Sequence, residues 1–128
     1  MHELAVCQQI MFQVKRIAKQ HQASHIESIT LHIGPLSGIE APLLKQAFPF
    51  AAAQTIAEQA KLIIKILPVV IQCQQCDAQT TTTANRLICG HCGDYHTQLI
   101  SGDEMLLASV ELSRDPLGQE ALKEGHYV

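Results

Sequence analysis

The chain has 128 residues and a mass of 14.1 kDa, enough for one ordinary domain or for a small domain with an inserted module. Its hydrophobic fraction of 47% predicts a globular core, and with 4% aromatic residues and no Trp that core must consist of aliphatic side chains. The formal net charge of -3 provides no basic surface for nucleic acid. No apolar stretch is long enough to cross a membrane, and the N-terminus lacks the features of a secretory signal. We therefore expect a cytoplasmic protein.

The first predicted element is an amphipathic helix over about residues 3–21, where apolar side chains recur at helical spacing. Cys7 falls in the apolar stripe, and we interpret it as a core residue because free cysteine is among the most buried residue types. A polar turn follows. Alternating apolar and polar residues over 29–33 then predict a half-buried strand.

A second helix is predicted from Pro42, which suits a first helical turn, to about Gln54, with a kink or short break at Pro49. Two further strands are predicted from alternating apolar positions, the first of them over residues 62–67. The other strand should bury the alternating side chains of Leu106, Ala108, Val110 and Leu112.

Four cysteines form two C-x2-C pairs, Cys73/Cys76 and Cys89/Cys92, with twelve residues between the pairs. This spacing is typical of a zinc ribbon, in which each pair places two thiolates on one tight turn. A closed set of four sulfurs leaves no open position for a substrate, so we interpret the Zn(II) as structural. Two disulfides are the alternative, but they need an oxidising compartment, which nothing in the sequence indicates.

The last strand has no helix of its own, and pairing with the strands before the cysteines would cover its apolar face. We therefore predict an α+β fold, in which a small mixed sheet of about three strands with two helices carries an inserted zinc-ribbon domain. The expected limits are 1–68 and 102–114 for the α/β domain, 69–101 for the zinc ribbon, and 115–128 for a C-terminal tail without docked structure.

Three histidines are candidates for metal chemistry. His91 lies inside the second cysteine pair and His96 follows four residues after it, so each could ligate zinc or contact a metal brought close to the ribbon. Because four cysteines are present, an all-cysteine site is favoured. His2 differs, because its imidazole, its backbone nitrogen and the terminal amine can reach one ion. Such a planar nitrogen set favours Ni(II) or Cu(II), although a histidine at a frayed end also occurs by chance.

The sequence offers little basis for an enzyme. It contains neither of the glycine-rich phosphate-binding motifs, GxxxxGK[ST] and GxGxxG, and no HExxH metalloprotease motif. The one cysteine outside the two pairs falls on the buried side of a predicted helix rather than on a sharp turn, where a nucleophile would stand. We predict that the protein is not an enzyme.

Three features together resemble the HypA/HybF family of hydrogenase-maturation nickel chaperones. They are the N-terminal Met1-His2-Glu3-Leu4, the strand that runs into Ile33-Gly34-Pro35-Leu36-Ser37-Gly38, and the paired cysteines. The resemblance extends from Met1 to about Leu112. It implies a nickel-binding α/β domain with an inserted zinc ribbon. It also implies that Ni(II) is a transient cargo, delivered to the large subunit of NiFe hydrogenase together with a HypB-like maturation GTPase.

By the same resemblance, His2 is the principal nickel ligand, surrounded by the Met1 amine and the backbone nitrogens of His2 and Glu3. The Glu3 carboxylate is a further candidate ligand. The four paired cysteines match the structural zinc ligands, and His91 and His96 are candidates for accessory metal transfer. We also expect a monomer or homodimer that binds neither nucleic acid nor membrane, because the chain lacks a basic cluster and a long apolar stretch.

The main alternative is a zinc-ribbon interaction or nucleic-acid-binding module without nickel function. The net negative charge and the small number of aromatic side chains for base stacking argue against nucleic acid. Metal analysis distinguishes the two hypotheses. A chaperone should hold one zinc tightly and take up nickel reversibly, whereas a plain zinc ribbon should hold zinc alone.

Overall fold

The computed structural model describes residues 3–114 and the backbone of residues 121–124. The helices of this part of the chain are α1 (Glu3–Gln20) and α2 (Ala41–Ala52). Its strands are β1 (His25–Ile33), β2 (Lys61–Ile66), β3 (Val69–Cys73), β4 (Gln79–Thr82), β5 (Thr97–Ser101), β6 (Met105–Ser113) and β7 (Ala121–Glu124). Neither helix has the length and apolar character needed to cross a membrane.

The larger of two sheets has the strand order β2-β1-β6-β7. β1 and β2 are parallel, with α2 as the crossover that parallel strands need, and β6 is antiparallel to β1. The predicted α+β fold with a mixed sheet and two helices is confirmed. The sheet has a fourth strand, because Ala121–Glu124 pair with β6 although the sequence predicted no docked structure there. This segment has no apolar pattern, and backbone hydrogen bonds to the edge of β6 hold it. The rest of the predicted tail, 115–120 and 125–128, lies outside the described residues.

The core lies between the two helices and one face of the larger sheet. The apolar stripe of α1 is buried as predicted from Cys7 to Ala18, and Cys7, Ile10 and Val14 have no exposed surface. Leu4, at the start of the predicted stripe, is exposed. In β1, the alternating Ile29 and Leu31 are also fully buried. Burial of one such aliphatic side chain stabilises a fold by roughly 1.5–3 kcal/mol. This cluster is therefore the main source of stability for the larger sheet.

A β-bulge in β6 changes which side chains reach the core. Successive residues of β1 pair with Ser109 and Leu107, so Ala108 is an extra residue on the β6 side. An extra residue reverses the alternation of side chains beyond it. Leu107 is therefore fully buried together with Val110, whereas Leu106 is only partly buried. The prediction that Leu106 and Ala108 share the buried face was wrong.

The sequence predicted a kink or a short break at Pro49; α2 continues through this residue, so the break does not occur. Pro49 is exposed and lies in the last turn of the helix, where its ring removes only one backbone hydrogen bond. Phe48 and Ala52 are buried on either side of it and hold the last turn against the core. Pro42 occupies the first turn, as predicted.

The smaller sheet has the order β4-β3-β5, with both pairs antiparallel. It meets the larger sheet where the chain enters and leaves it. The N–H of Gly34 donates to the carbonyl of Glu104, and the N–H of Leu36 donates to the carbonyl of Gly102, both at 2.8 Å. A Cβ on Gly34 would lie 2.1 Å from the Gly102 carbonyl oxygen, and one on Gly102 would lie 3.0 Å from the Cα of Val69. Such close backbone approach requires glycine at both positions.

Candidate metal sites

The four paired cysteines meet at one point beside the smaller sheet. Their sulfur atoms all lie within 4.8 Å of one another. Cys73 Sγ is 3.5 Å from Cys92 Sγ, and Cys76 Sγ is 3.6 Å from Cys89 Sγ. These separations are well above a disulfide bond length of about 2.05 Å, so the thiols are free. Each close pair takes one sulfur from each C-x2-C turn, and the two turns therefore face each other.

The two C-x2-C turns repeat one backbone pattern. The N–H of Cys73 donates to the carbonyl five residues later at 2.9 Å, and its carbonyl accepts the N–H four residues later at 3.1 Å. Cys89 makes the same two bonds at 2.9 and 3.0 Å. The fourth following residue has a positive φ in both turns, 63° at Asp77 and 80° at Gly93. Glycine adopts this left-handed conformation freely, whereas aspartate adopts it at some cost.

Backbone N–H groups also point at the first sulfur of each pair. Cys73 Sγ accepts two of them, at 3.3 and 3.4 Å. Cys89 Sγ accepts the N–H groups of Cys92 and His91, both at 3.3 Å. The donors of Cys92 and His91 lower the pKa of Cys89 to about 6. Since the thiolate is the form of cysteine that binds metals, the turn stabilises the metal-binding state of this sulfur.

Two threonine hydroxyls fasten the second turn to the smaller sheet. Thr80 Oγ1 accepts the N–H of Gly90 at 2.9 Å, and the Thr97 hydroxyl donates to the carbonyl of Leu87 at 3.0 Å. A Cβ on Gly90 would lie 3.1 Å from Thr80 Cγ2, so the two chain segments are closely packed. These supporting residues were not found from the sequence, because the spacing of threonines along the chain does not show which hydroxyl faces the turn.

The sulfur arrangement fits a tetrahedral zinc ion. Zn–S bonds of about 2.3 Å in tetrahedral geometry place the sulfurs about 3.8 Å apart, close to the 3.5 and 3.6 Å of the two nearest pairs. Four thiolates at these distances repel one another strongly, and a divalent cation removes that repulsion. Four sulfur ligands complete the usual coordination of zinc, so an ion bound here joins the two turns and leaves no position for a substrate.

The two histidines near the cysteines lie outside the sulfur group. His91 is exposed. The Nδ1 of His96 is 2.7 Å from Asp94 Oδ1, and its ring centroid is 4.1 Å from that of Tyr95. In the part of the chain that the structure describes, the one group of three or more metal-ligating side chains consists of the four cysteines. This arrangement favours the all-cysteine ligand set.

Glu3 is the part of the predicted nickel site that the structure describes, since Met1 and His2 lie outside the described residues. Glu3 begins α1, and its buried carboxylate accepts the N–H of Glu40 at 3.4 Å. Glu40 is the residue just before α2, so this contact joins the starts of the two helices. N–H groups in the first turn of a helix have no acceptor within the helix, which leaves the Glu3 backbone nitrogen outside the helical hydrogen bonds.

Cys7 has the properties of a core residue, as predicted. It is fully buried, and its Sγ lies 3.6 Å from the carbonyl oxygen of Leu44. Burial and the neighbouring Glu3 carboxylate raise the pKa of Cys7 to about 11. The thiol is therefore protonated at neutral pH and is neither a nucleophile nor a metal ligand in this fold.

Known proteins resemble this chain over most of its length. A family model described as "Hydrogenase/urease nickel incorporation, metallochaperone, hypA" matches residues 1–112. The hydrogenase maturation factor HypA of Nitrosospira multiformis is 43% identical over 112 residues, which cover 88% of this chain and 97% of that protein. The same factor from Aquifex aeolicus is 35% identical over 115 residues, covering 90% of this chain and 100% of that protein.

Solved structures agree with the sequence comparisons. The solution structure of the Ni metallochaperone HypA from Helicobacter pylori superposes with a TM-score of 0.66 at 26% identity, covering 90% of this chain and 100% of the other. A second solution structure, of a HypA protein, gives a TM-score of 0.68 at 26% identity. The matched region contains both the Met-His-Glu start and the four clustered cysteines. The chain belongs to the HypA family of nickel-incorporation metallochaperones.

Proposed function

We propose that this chain binds Ni(II) at its N-terminus and delivers it to the large subunit of NiFe hydrogenase, while structural zinc stabilises the smaller sheet. The observation that carries the proposal is the family match over residues 1–112, which spans the Met-His-Glu start and all four paired cysteines. The related proteins of Nitrosospira multiformis and Aquifex aeolicus are both named hydrogenase maturation factors.

The proposed nickel ligands are the Met1 amine, the His2 imidazole and the backbone nitrogens of His2 and Glu3. A compact set of nitrogen donors suits the square-planar geometry that Ni(II) favours. The Glu3 carboxylate already accepts a hydrogen bond from Glu40, so we assign it to positioning α1 rather than to binding nickel. With the start of α1 held in this way, the ligands ahead of Glu3 extend from a fixed point on the fold.

The proposed zinc ligands are Cys73, Cys76, Cys89 and Cys92. Zinc bound to these sulfurs would supply the smaller sheet with four strong bonds that its few buried side chains cannot replace. We propose the same functional division of the chain as its sequence suggests, with residues 1–68 and 102–114 holding nickel and residues 69–101 forming the zinc ribbon. Within the proposed C-terminal tail, 115–128, residues Ala121–Glu124 pair with β6 of the nickel-binding part.

The proposed partners are a HypB-like maturation GTPase and the hydrogenase large subunit, because a carrier must exchange its cargo with other proteins. The chain itself acts as a carrier without catalysis, as a monomer or homodimer. His91 and His96 stand beside the zinc turns and are proposed as accessory ligands during transfer. We propose that this exchange takes place in the reducing cytoplasm, and the free thiols at the four-sulfur site support this proposal.

Nickel titration of the untagged, zinc-loaded protein tests this function. We expect His2→Ala to abolish specific nickel binding because it removes the principal ligand, while one zinc per chain remains. Isothermal titration calorimetry and elemental analysis measure the two metals. His25→Ala, which removes an exposed histidine at the start of β1, is the matched control and should bind nickel like the wild type.

Two outcomes would contradict the proposal. Unchanged nickel affinity in His2→Ala, or in a variant whose N-terminal extension displaces the amine, would exclude the N-terminal site. A wild-type protein that holds zinc but takes up no nickel would instead support a zinc-ribbon interaction module.

A further inference from the structure

One face of α1 carries concentrated positive charge on a chain whose formal net charge is -3. Lys15, Arg16 and Lys19 are three of the nine Lys and Arg residues. They share one face of the helix with Phe12, because positions 12, 15, 16 and 19 follow the spacing i, i+3, i+4 and i+7. We call these four residues the α1 outer face. The sequence contains no acidic residue over positions 4–26 that could balance them.

Among the described residues, these cations have no counter-charges. Throughout residues 3–114, none of the three basic side chains forms an ion pair or a hydrogen bond. The nearest acidic residue in α1 is Glu3, which is buried at the far end of the helix and bonded to Glu40. Like charges four residues apart, such as Lys15 and Lys19, also oppose helix formation slightly. An acidic partner would remove this repulsion.

Phe12 stands between two surface hollows of about 450 Å³ each. Met11 and Ala51 line one hollow together with the three basic side chains, and Ala5 and Gln8 line the other, nearer the start of the helix. The Phe12 side chain is 64% exposed. An exposed aromatic ring beside a concave surface is a common anchor of protein–protein contacts.

We propose that the α1 outer face binds an acidic amphipathic helix of a protein partner. Carboxylates of that helix pair with Lys15, Arg16 and Lys19, and its apolar side chains pack on Phe12 and enter the two hollows. Between residues 5 and 19 the surface is about 21 Å long at 1.5 Å per residue, which matches about four turns of a partner helix. This proposal goes beyond nickel binding and does not depend on it.

An anionic membrane fits this surface less well than a protein helix. A membrane-bound amphipathic helix inserts its apolar face into the lipid. The apolar stripe of α1 is already buried in the protein core, which leaves one aromatic ring to insert. The shallow hollows beside that ring give individual side chains of a helix a place to pack, whereas a bilayer surface has no such side chains.

The test uses a synthetic helical peptide of about 18 residues, with Leu at i and i+4 spacing along one face and Glu at the positions that flank this Leu stripe. Two matched peptides replace every Glu by Gln or every Leu by Ser. Binding to the zinc-loaded full chain is measured by NMR chemical-shift titration. We expect shifts on α1 around Phe12, and an affinity that falls several-fold when salt is raised from about 0.05 to about 0.3 M. Both matched peptides should bind more weakly than the parent.

Substitutions in the protein localise the contact. Phe12→Ala should weaken binding by about tenfold, and the triple variant Lys15→Gln, Arg16→Gln, Lys19→Gln by at least about tenfold. Lys45→Gln removes an exposed cation of α2 that lines neither hollow, and this control should bind the peptide like the wild type. All these side chains are exposed, so circular dichroism and zinc content should match the wild type. The shifts in the wild type locate the peptide independently of the variants.

Several results would overturn the proposal. Absence of binding, equal binding of the Gln-substituted peptide, or full affinity in the triple variant would each do so. Tighter binding to vesicles of phosphatidylcholine and phosphatidylglycerol, with the same dependence on Phe12, would assign the surface to a membrane. A dimer that dissociates in the triple variant would assign it to a second copy of the chain.

Discussion

The two sheets of this chain are stabilised by different means. The large buried cluster draws its members from residues 7–57 and 107–112, packed between the helices and the larger sheet. In the smaller sheet and its turns, the buried apolar side chains of the described residues are Val69, Ile71 and two of the zinc-site cysteines. Three short strands with so little burial are not stable alone. The sulfur site must therefore replace the core that this sheet lacks.

Because the two sheets depend on different interactions, each should unfold independently when its own interaction is removed. Loss of zinc should affect the smaller sheet first, and loss of apolar packing should affect the larger one. Substitutions confined to one sheet can therefore show how independent the two are.

The largest effect is expected from Cys89→Ala. We expect loss of zinc and unfolding of the smaller sheet, because structural zinc contributes on the order of 10 kcal/mol to the folding of small zinc modules. The larger sheet should remain folded. Elemental analysis and region-resolved amide hydrogen exchange measure the two effects. Cys7→Ala also removes one sulfur, but from the core, and should keep its zinc while lowering the free energy of unfolding by about 1 kcal/mol.

Two results would contradict this separation. One zinc per chain in Cys89→Ala would show that the four sulfurs are not all required as ligands. Equal loss of exchange protection in both sheets would show that they unfold as one unit.

A smaller effect is expected from Leu31→Ala in the middle of β1. Leu31 is fully buried, so the cavity left behind should lower the free energy of unfolding of the larger sheet by about 2–5 kcal/mol. Urea unfolding followed by circular dichroism measures this change. Leu43→Ala, at an exposed position of α2, should change stability by less than about 0.5 kcal/mol. Release of zinc from Leu31→Ala while the larger sheet is still folded would argue against separate stabilisation.

The smallest effects are expected at the positive-φ residues of the two sulfur turns. Nothing lies within 4 Å of a Cβ placed on Gly93, so the new methyl group meets no clash. Gly93→Ala should therefore weaken zinc binding only through backbone strain, by about 1 kcal/mol. Asp77→Gly should instead strengthen zinc binding, because glycine removes the backbone strain from the first turn. Competition with a chelator measures zinc affinity in both variants. Tighter zinc binding by Gly93→Ala, or weaker binding by Asp77→Gly, would exclude this explanation.

The two helices and the strands β1, β2 and β6 could be predicted because each carries several apolar residues at a fixed spacing. β7 has no such pattern and was not predicted. α1 follows this rule from Cys7 to Ala18, and β1 follows it from Ile29 to Ile33. The start of β1 lies beyond a register shift between Ile26 and Ser28. The rule fails where one residue breaks the spacing, as Ala108 does in β6, and where packing outweighs a local preference, as it does around Pro49. β4 could not be predicted separately, because its sequence QTTT has no apolar alternation and its place depends on the adjoining turn.

The four-sulfur cluster could be predicted because two C-x2-C turns bind one ion only if they face each other. The hydrogen bonds that hold the second sulfur turn could not be predicted, since the one between Thr80 and Gly90 links residues ten positions apart. The contact between Glu3 and Glu40 joins residues 37 positions apart and depends on how the helices pack. The sequence does carry a sign of the α1 outer face, namely the absence of acidic residues over positions 4–26.

Val69 and Gly102 touch where the chain enters and leaves the smaller sheet. The segment between these two residues therefore connects neighbouring points of the fold, as a surface loop does. The entropic free-energy cost of closing a loop rises slowly with its length, by about 0.6 kcal/mol per doubling. The larger sheet can therefore form on a newly made chain while the cysteines between these two points are still unstructured, and zinc can bind to a protein that is already half folded.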